Sequence, residues 1–413
     1  MPSLSGFRCA CLSIASLVVG ACGARDAPAT AVAVRDTLAD GTVRVRYASL
    51  PAPTIAPLEP ELSIGVMDGE PHEMFGDVRG IEAGADGTIY ILDYQASEVR
   101  AFDADGTFLR LVTSRGQGPG ELTEANGLVR AADGTLWIQD HGQWQMIGVS
   151  PDGEEVARFP MHVRSYGYIW NGALDDHGRF WKPATHSDEE RVYPPRTGLN
   201  EGQARYYLKW FDPGSERTDS VYSGQRAYRS YVSQNTSGGY SYRGIPFSPN
   251  PITLVDPAGG FWTTSTEAYR LVRLDERGDT IMVLEVDIAP LPVTETDRAQ
   301  YVDELVERAP DQRAAAEATV ALAPETKPVL DQLVIDDAGR LWVRRVMRES
   351  EGRLYDVFTR DAEYVGSVAL AFQPAPYFPP KIRDGRLYTL VLDSLDVQAV
   401  VRVAVDGAIA VDP

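Results

Sequence analysis

Six times along this chain a glycine is followed two residues later by a large apolar side chain and three residues later by Tyr or Trp. The sets are Gly87 with Ile89 and Tyr90, Gly134 with Leu136 and Trp137, Gly178 with Phe180 and Trp181, Gly259 with Phe261 and Trp262, Gly339 with Leu341 and Trp342, and Gly385 with Leu387 and Tyr388. Successive glycines are 47, 44, 81, 80 and 46 residues apart, so the chain repeats a unit of about 45 residues, and two intervals carry insertions. In the first unit, Val78 to Ala83, Thr88 to Asp93, Val99 to Asp103 and Phe108 to Val112 read as four short strands separated by turn residues. Six such units predict an all-β chain folded as a six-bladed β-propeller, with loop and helical insertions on one face.

A second turn glycine, Gly106, Gly153 or Gly278, follows the first by 19 residues in units one, two and four. That fixed offset puts the repeat aromatic at one place in every blade, where a large ring fills the wedge between neighbouring sheets. Four of the seven Trp residues stand there and are expected in the core.

Composition removes several functions. With 59 acidic and 39 basic residues the formal charge is −20, which excludes a nucleic-acid partner because phosphate binding needs clustered Lys and Arg. Cys9, Cys11 and Cys22 are the chain's three cysteines, so the repeat region has no thiol for a disulfide or a soft metal.

Residues 1–21 have the layout of an export signal, with Arg8 before an apolar stretch from Ala10 to Ala21. Leu17-Val18-Val19-Gly20-Ala21-Cys22 resembles the lipobox of bacterial lipoproteins, which implies lipidation of Cys22 and a lipid-anchored protein of the bacterial cell envelope. Residues 22–60, rich in Ala, Pro and Thr, are expected to be a disordered tether, although Val and Arg alternate within Thr42 to Tyr47 as suits a short edge strand. The propeller is assigned to residues 61–413. Leu62 to Val66 is expected to complete the sixth blade, with Ala408 to Val411 as the competing segment.

Up-and-down connectivity assigns the insertions to one face. Residues 183–204 fall in a second-to-third-strand loop, 222–248 in the crossing to blade four, and 290–328 in the crossing to blade five. The last has helical registers at Tyr301, Val302, Leu305 and Val306 and an Ala-rich turn from Arg313. Near the starts of the channel-lining strands, at the same face, stand Arg79, Asn126, Asn171, Asn250, Asp331 and Lys381. They are candidate ligand-binding residues at the channel mouth, although a solvated rim needs no ligand to be polar. Tyr228, Arg229, Tyr231, Tyr240 and Arg243 give the second insertion the composition of a recognition loop.

Asp86-Gly87-Thr88-Ile89-Tyr90-Ile91-Leu92-Asp93, Val99 to Gly106 and Gly116-Gln117-Gly118-Pro119-Gly120-Glu121 resemble NHL-repeat propellers. More closely, the chain is similar to exported bacterial six-bladed β-propeller lipoproteins over residues 60 to 413. The resemblance implies the architecture and leaves activity open, since such scaffolds serve both interaction proteins and a few enzymes.

Other motifs carry little chemistry. Asp103-Ala104-Asp105-Gly106 lacks the ligands of a calcium loop, Gly116, Gly118 and Gly120 precede no helix, and the five histidines show no close metal spacing. The expected function is therefore a non-catalytic, membrane-tethered binding module for a protein, peptide or glycan ligand, with no cofactor. A separate reading is a structural lipoprotein of an envelope assembly, for which the sequence offers only the anchor. The alternative is a lactonase-like hydrolase or lyase, with Ca or Mg held by Glu82, Asn126, Asn171 and Asp331.

Overall fold

A computed structural model of the chain describes residues 31–53, 56–160, 174–187, 195–234, 238–348 and 352–409. The signal segment, Cys22 and Asn171 lie outside the described residues. Three strands come before the first repeat: β1 (Ala33–Thr37), β2 (Val43–Tyr47) and β3 (Leu62–Ile64). Sheet one is β4 (Val78–Ala83), β5 (Ile89–Asp93), β6 (Glu98–Phe102) and β7 (Phe108–Thr113). Sheet two is β8 (Ala125–Arg130), β9 (Leu136–Asp140), β10 (Gln145–Val149) and β11 (Glu155–Pro160). Sheet three contains β12 (Phe180–Ser187), β13 (Gly198–Asp212), β14 (Arg217–Gln234) and β15 (Tyr240–Gly244). Sheet four begins with β16 (Ile252–Val255), β17 (Phe261–Thr264), β18 (Arg270–Leu274) and β19 (Thr280–Val286), and is followed by helices α1 (Glu295–Arg308) and α2 (Arg313–Val320). Sheet five is β20 (Leu330–Ile335), β21 (Leu341–Arg345), β22 (Arg353–Phe358) and β23 (Tyr364–Leu370). Sheet six is β24 (Lys381–Arg383), β25 (Arg386–Leu392), β26 (Gln398–Ala404) and, from the other end of the chain, β3.

The repeat motif explains this layout. All six motif glycines lie at φ between +67° and +113°, a region that costs an ordinary side chain steric strain; in sheets one, two, four, five and six the glycine turns the first strand into the second, and Gly178 lies in the turn between the bridged residues Leu174 and Phe180. Where the fifth unit lacks a glycine in its second turn, Ala362 takes φ +62° and donates its N–H to Thr359 O at 2.9 Å. The aromatic three residues after each motif glycine packs toward the next sheet. Tyr90 joins a cluster with Leu136 of sheet two, Trp137 packs with Phe180 of sheet three, and Trp181 with Phe261 of sheet four. Trp262 packs with Leu341 of sheet five, Trp342 with Ile382 of sheet six, and Tyr388 with Ile89 of sheet one. Every sheet thus shares a core with the next, and the last with the first, which is the closed arrangement of a β-propeller.

Two of these aromatics are anchored by charge. Asp336 Oδ2 accepts from Trp342 Nε1 at 2.9 Å and from Arg340 Nε at 2.6 Å, and Asp175 Oδ2 accepts from Trp181 Nε1 and Arg179 Nε, both at 2.7 Å. The Asp six residues before the Trp and the Arg two before it therefore act as one unit: the carboxylate satisfies the buried indole N–H, and the guanidinium balances the buried charge. Trp137 has no such partner among the described residues and is only half-buried, between the rings of Phe159 and Phe180.

The N-terminal strands correct one expectation. Residues 33–47 are not an unstructured tether: β2 pairs in parallel with β19, and β1 pairs with β2, so sheet four has six strands. The Val-Arg alternation puts Val45 and Tyr47 on one face, where they bury against sheets four and five. Tyr47 Oη donates to Ala362 O at 2.9 Å and accepts from Tyr364 N at 2.9 Å, tying this strand to sheet five. Leu62 pairs with Arg402 and Ile64 with Val400, so β3 is the strand that completes sheet six.

Candidate functional site

The innermost strands of sheets one, two and five share an irregularity at one level. The register of β4 with β5 shifts between Val78 and Gly80, that of β8 with β9 between Ala125 and Leu128, and that of β20 with β21 between Leu330 and Gln332. The residues caught in these bulges are Arg79, Asn126 with Gly127, and Asp331. Bulges leave a residue out of the ladder and re-aim its side chain, so three candidates from the sequence are presented by the same local device. The bulged strands also approach closely: a Cβ on Gly80 would lie 2.5 Å from Leu128 Cβ.

These side chains are already engaged with the protein. Arg79 donates through Nε to Asp77 Oδ1 at 2.8 Å and through Nη1 to Asn126 Oδ1 at 2.7 Å, and its guanidinium covers the Tyr94 ring at 4.3 Å. Asp331 Oδ1 accepts from Arg344 Nε at 2.6 Å. Asn250, exposed just before β16, donates its backbone N–H to Thr266 Oγ1 at 2.9 Å.

Lys381 departs from its expected place. The three-residue strand β24 pairs Lys381 with Tyr388, while Glu82 pairs with Tyr90, so both stand beside the repeat aromatics and below the mouth. There Lys381 Nζ donates to Glu82 Oε1 at 3.0 Å. The sixth unit shortens its inner strand, which moves the residue down the channel. Glu82, Asn126 and Asp331 therefore do not converge on a cation, because each faces a Lys or Arg. No group of three or more His, Cys, Asp or Glu suited to a metal occurs among the described residues.

The expected recognition loop is built of strands. β13 and β14 pair from Asp212 with Arg217 out to Gly198 with Val232, well beyond the length of an ordinary blade strand, and β15 returns along the end of β14. The turn at Pro213-Gly214 closes the opposite end of this hairpin, so the extension forms an arm on the face where the inner strands begin. Tyr228, Arg229 and Tyr231 lie on β14, and Tyr240 and Arg243 on β15. The helical insertion leaves β19 and enters β20 at that same face and buttresses the arm. Arg243 Nη2 donates to Gln312 Oε1 at 3.0 Å, Arg229 Nη1 to Leu322 O at 3.4 Å, and Phe247 packs on Tyr301 with centroids 6.4 Å apart. Thr294 caps α1 by a capping box with Asp297, and Val302, Ala316 and Val320 form the core between the two helices. Tyr242, facing away from this support, is 66% exposed.

Sequence reasoning missed a polar group between sheets two and three. Lys182 follows Phe180 and Trp181 at a position that is apolar in sheets one and two, and it is 8% exposed. Burial lowers its pKa to about 8. Gln139 Nε2 and His141 Nε2 lie 2.8 Å apart. Burial, and then the positive field of Lys182, holds His141 below the usual imidazole value. A lysine interrupting the run Phe180-Trp181-Lys182 was the available signal.

No protein-family model and no curated protein matches the sequence. Similar solved structures include a Bacteroides fragilis protein described as exported, 9% identical with a TM-score of 0.42, covering 88% of this chain and 99% of that one. A virginiamycin B lyase of Staphylococcus aureus is 10% identical with a TM-score of 0.37, covering 82% and 98%. A gluconolactonase of Xanthomonas campestris is 12% identical with a TM-score of 0.38, covering 80% and 86%. At such identities the reading of the site rests on the residues of this chain.

Proposed function

We propose that the protein is a six-bladed β-propeller lipoprotein of the bacterial cell envelope, resembling NHL-repeat proteins and anchored through Cys22. Its function is non-catalytic binding: a protein, peptide or glycan docks across the arm-bearing face. The observation that carries this reading is the arm itself. The part of the 15-residue β13 and 18-residue β14 that outruns an ordinary blade strand has no role in closing the ring, yet it is capped by β15 and held by two helices, which makes it a rigid projection rich in Tyr and Arg. Rigid aromatic and Arg side chains supply contact area at low ordering cost. The lactonase-like alternative is less well supported, because its metal donors face cations instead of one another.

Two measurements test the reading. Cys22→Ser should move the protein from the membrane to the soluble fraction with its melting transition intact; retention in the membrane would remove the anchor from the proposal. Tyr242→Ala and Arg229→Glu, compared with Val156→Ala on the outer edge of sheet two, should each weaken capture of envelope ligands by the immobilised protein. Equal capture by all three variants would rule out the arm as the docking surface.

A further inference from the structure

The arm leaves its sheet at an irregular point. The β13–β14 register shifts between Tyr206 and Tyr207, and Gly224, paired with Tyr206, has φ +125°. Two residues on, the Arg226 side chain folds back over that glycine: a Cβ at Gly224 would lie 3.8 Å from Cζ, Nη1 and Nη2 alike. Its Cζ is 5.3 Å from the centroid of the Tyr206 ring. Nη2 donates to Thr263 Oγ1 at 2.6 Å, and that oxygen lies 3.3 Å from Thr253 Oγ1 on the innermost strand of sheet four.

Nη1 is buried and has no hydrogen-bond partner among the described residues. Nor does Arg226 form an ion pair among the described residues, whereas the arginines buried deeper each do: Arg100 with Asp93 and Glu98, Arg344 with Asp331, and Arg345 with Asp356. Desolvation acts in the same direction, lowering the pKa of Arg226 without a carboxylate to oppose it. A guanidinium does not shed its proton at physiological pH, so it cannot escape the cost by neutralising itself. What relieves it is an incoming negative charge with oxygen acceptors.

We infer that Arg226, steadied by Thr263 and the Tyr206 ring, is a binding site for a small oxyanion, a carboxylate or phosphate group presented by the ligand at the root of the arm. This deepens the docking reading and rests on it for the identity of the ligand, while the anion site itself can be measured alone. In a chain of net charge −20, such a site is a local exception that selects an anionic group by geometry and not by the overall field.

The test uses the purified protein and four probes, namely succinate, inorganic phosphate, acetamide and chloride, at matched ionic strength, with melting temperature and calorimetric titration as readouts. Succinate, phosphate or both should raise the melting temperature relative to chloride and acetamide, and the succinate and phosphate arms identify which oxyanion is preferred. Arg226→Gln should abolish that increment while leaving the melting temperature in chloride unchanged or higher, since it removes an uncompensated charge. Arg226→Lys should weaken the titrated affinity by about tenfold or more, because a point charge replaces the planar fork. If Arg226→Gln does not fold, Thr263→Val, which removes the anchor of Nη2, should lower the affinity in its place. An increment that persists in the Arg226 and Thr263 variants, or is absent from the unaltered protein with both oxyanions, overturns the site. Loss of ligand capture by Tyr242→Ala with anion binding intact supports both readings. Intact capture with an intact anion site would fail only the arm.

Discussion

At the scale of single residues, Trp137 and Trp342 hold the same repeat position but should not be equivalent. Trp342 is fully buried and its N–H is held by Asp336, so Trp342→Ala should cost about 3 to 5 kcal/mol in urea denaturation, as expected for emptying a large aromatic site. Trp137→Ala should cost clearly less, because Trp137 is half-buried and has no carboxylate partner among the described residues. Equal losses would mean that the Asp-Arg-Trp unit contributes nothing of its own. Lys182 gives a pH signature. Its folded pKa of about 8 lies below the ordinary 10.5, so between these values the unfolded chain holds a proton that the folded protein lacks, and stability rises with pH through that window. Below about pH 8 the burial penalty is present in full. The stability of Lys182→Met relative to the unaltered protein should therefore depend on pH, shifting in favour of the unaltered protein as pH rises from about 8 toward 10.5. A pH-independent difference in stability would show that Lys182 is not desolvated.

At the scale of elements, the helical insertion is the support of the arm, and its N-terminus is the place to loosen it. Thr294→Ala removes the capping box of α1 and should cost about 1 kcal/mol, with faster amide exchange in α1 and along β15, where Arg243 meets Gln312. Faster exchange in α1 with β15 unchanged would show that arm and helices are independent. The sequence made the helices legible through their apolar spacing, and it made each blade legible through the glycine and aromatic offsets. It hid the arm because strands of this length outrun the repeat: once the 19-residue offset is lost, Tyr-Arg-Ser alternation is as compatible with a polar loop as with a solvated hairpin. The place of Arg79, Asn126 and Asp331 near the start of each inner strand was readable, but the bulges that present them were not. Lys381 was misplaced because one short strand is invisible to counting from the blade average. Arg226 stood among several arginines of the insertion, and the one local mark of the backbone irregularity that buries it is Gly224, two residues earlier.

At the scale of the whole molecule, the ring depends on its first strands unequally. Removing residues 1–60 deletes β1 and β2 but keeps β3; this form should still unfold in one cooperative transition, at a lower midpoint because Tyr47 no longer ties sheets four and five. Removing residues 1–65 deletes β3 as well, exposing the edge of β26 and part of the core between sheets six and one, and should give a broad transition or aggregation. Two identical cooperative transitions would show that sheet six needs only three strands. The same clasp, in which Glu61 meets Arg402 across 341 positions of sequence, sets an order of events. A growing chain has its first sheet early and its last sheet only at the end, so the face that Ile89 and Tyr388 share stays wet and adhesive until synthesis is nearly complete. Ring closure is then a late, long-range step. Refolding should end in a slow phase that a circular permutant, with the old termini joined and new ends between two sheets, would abolish.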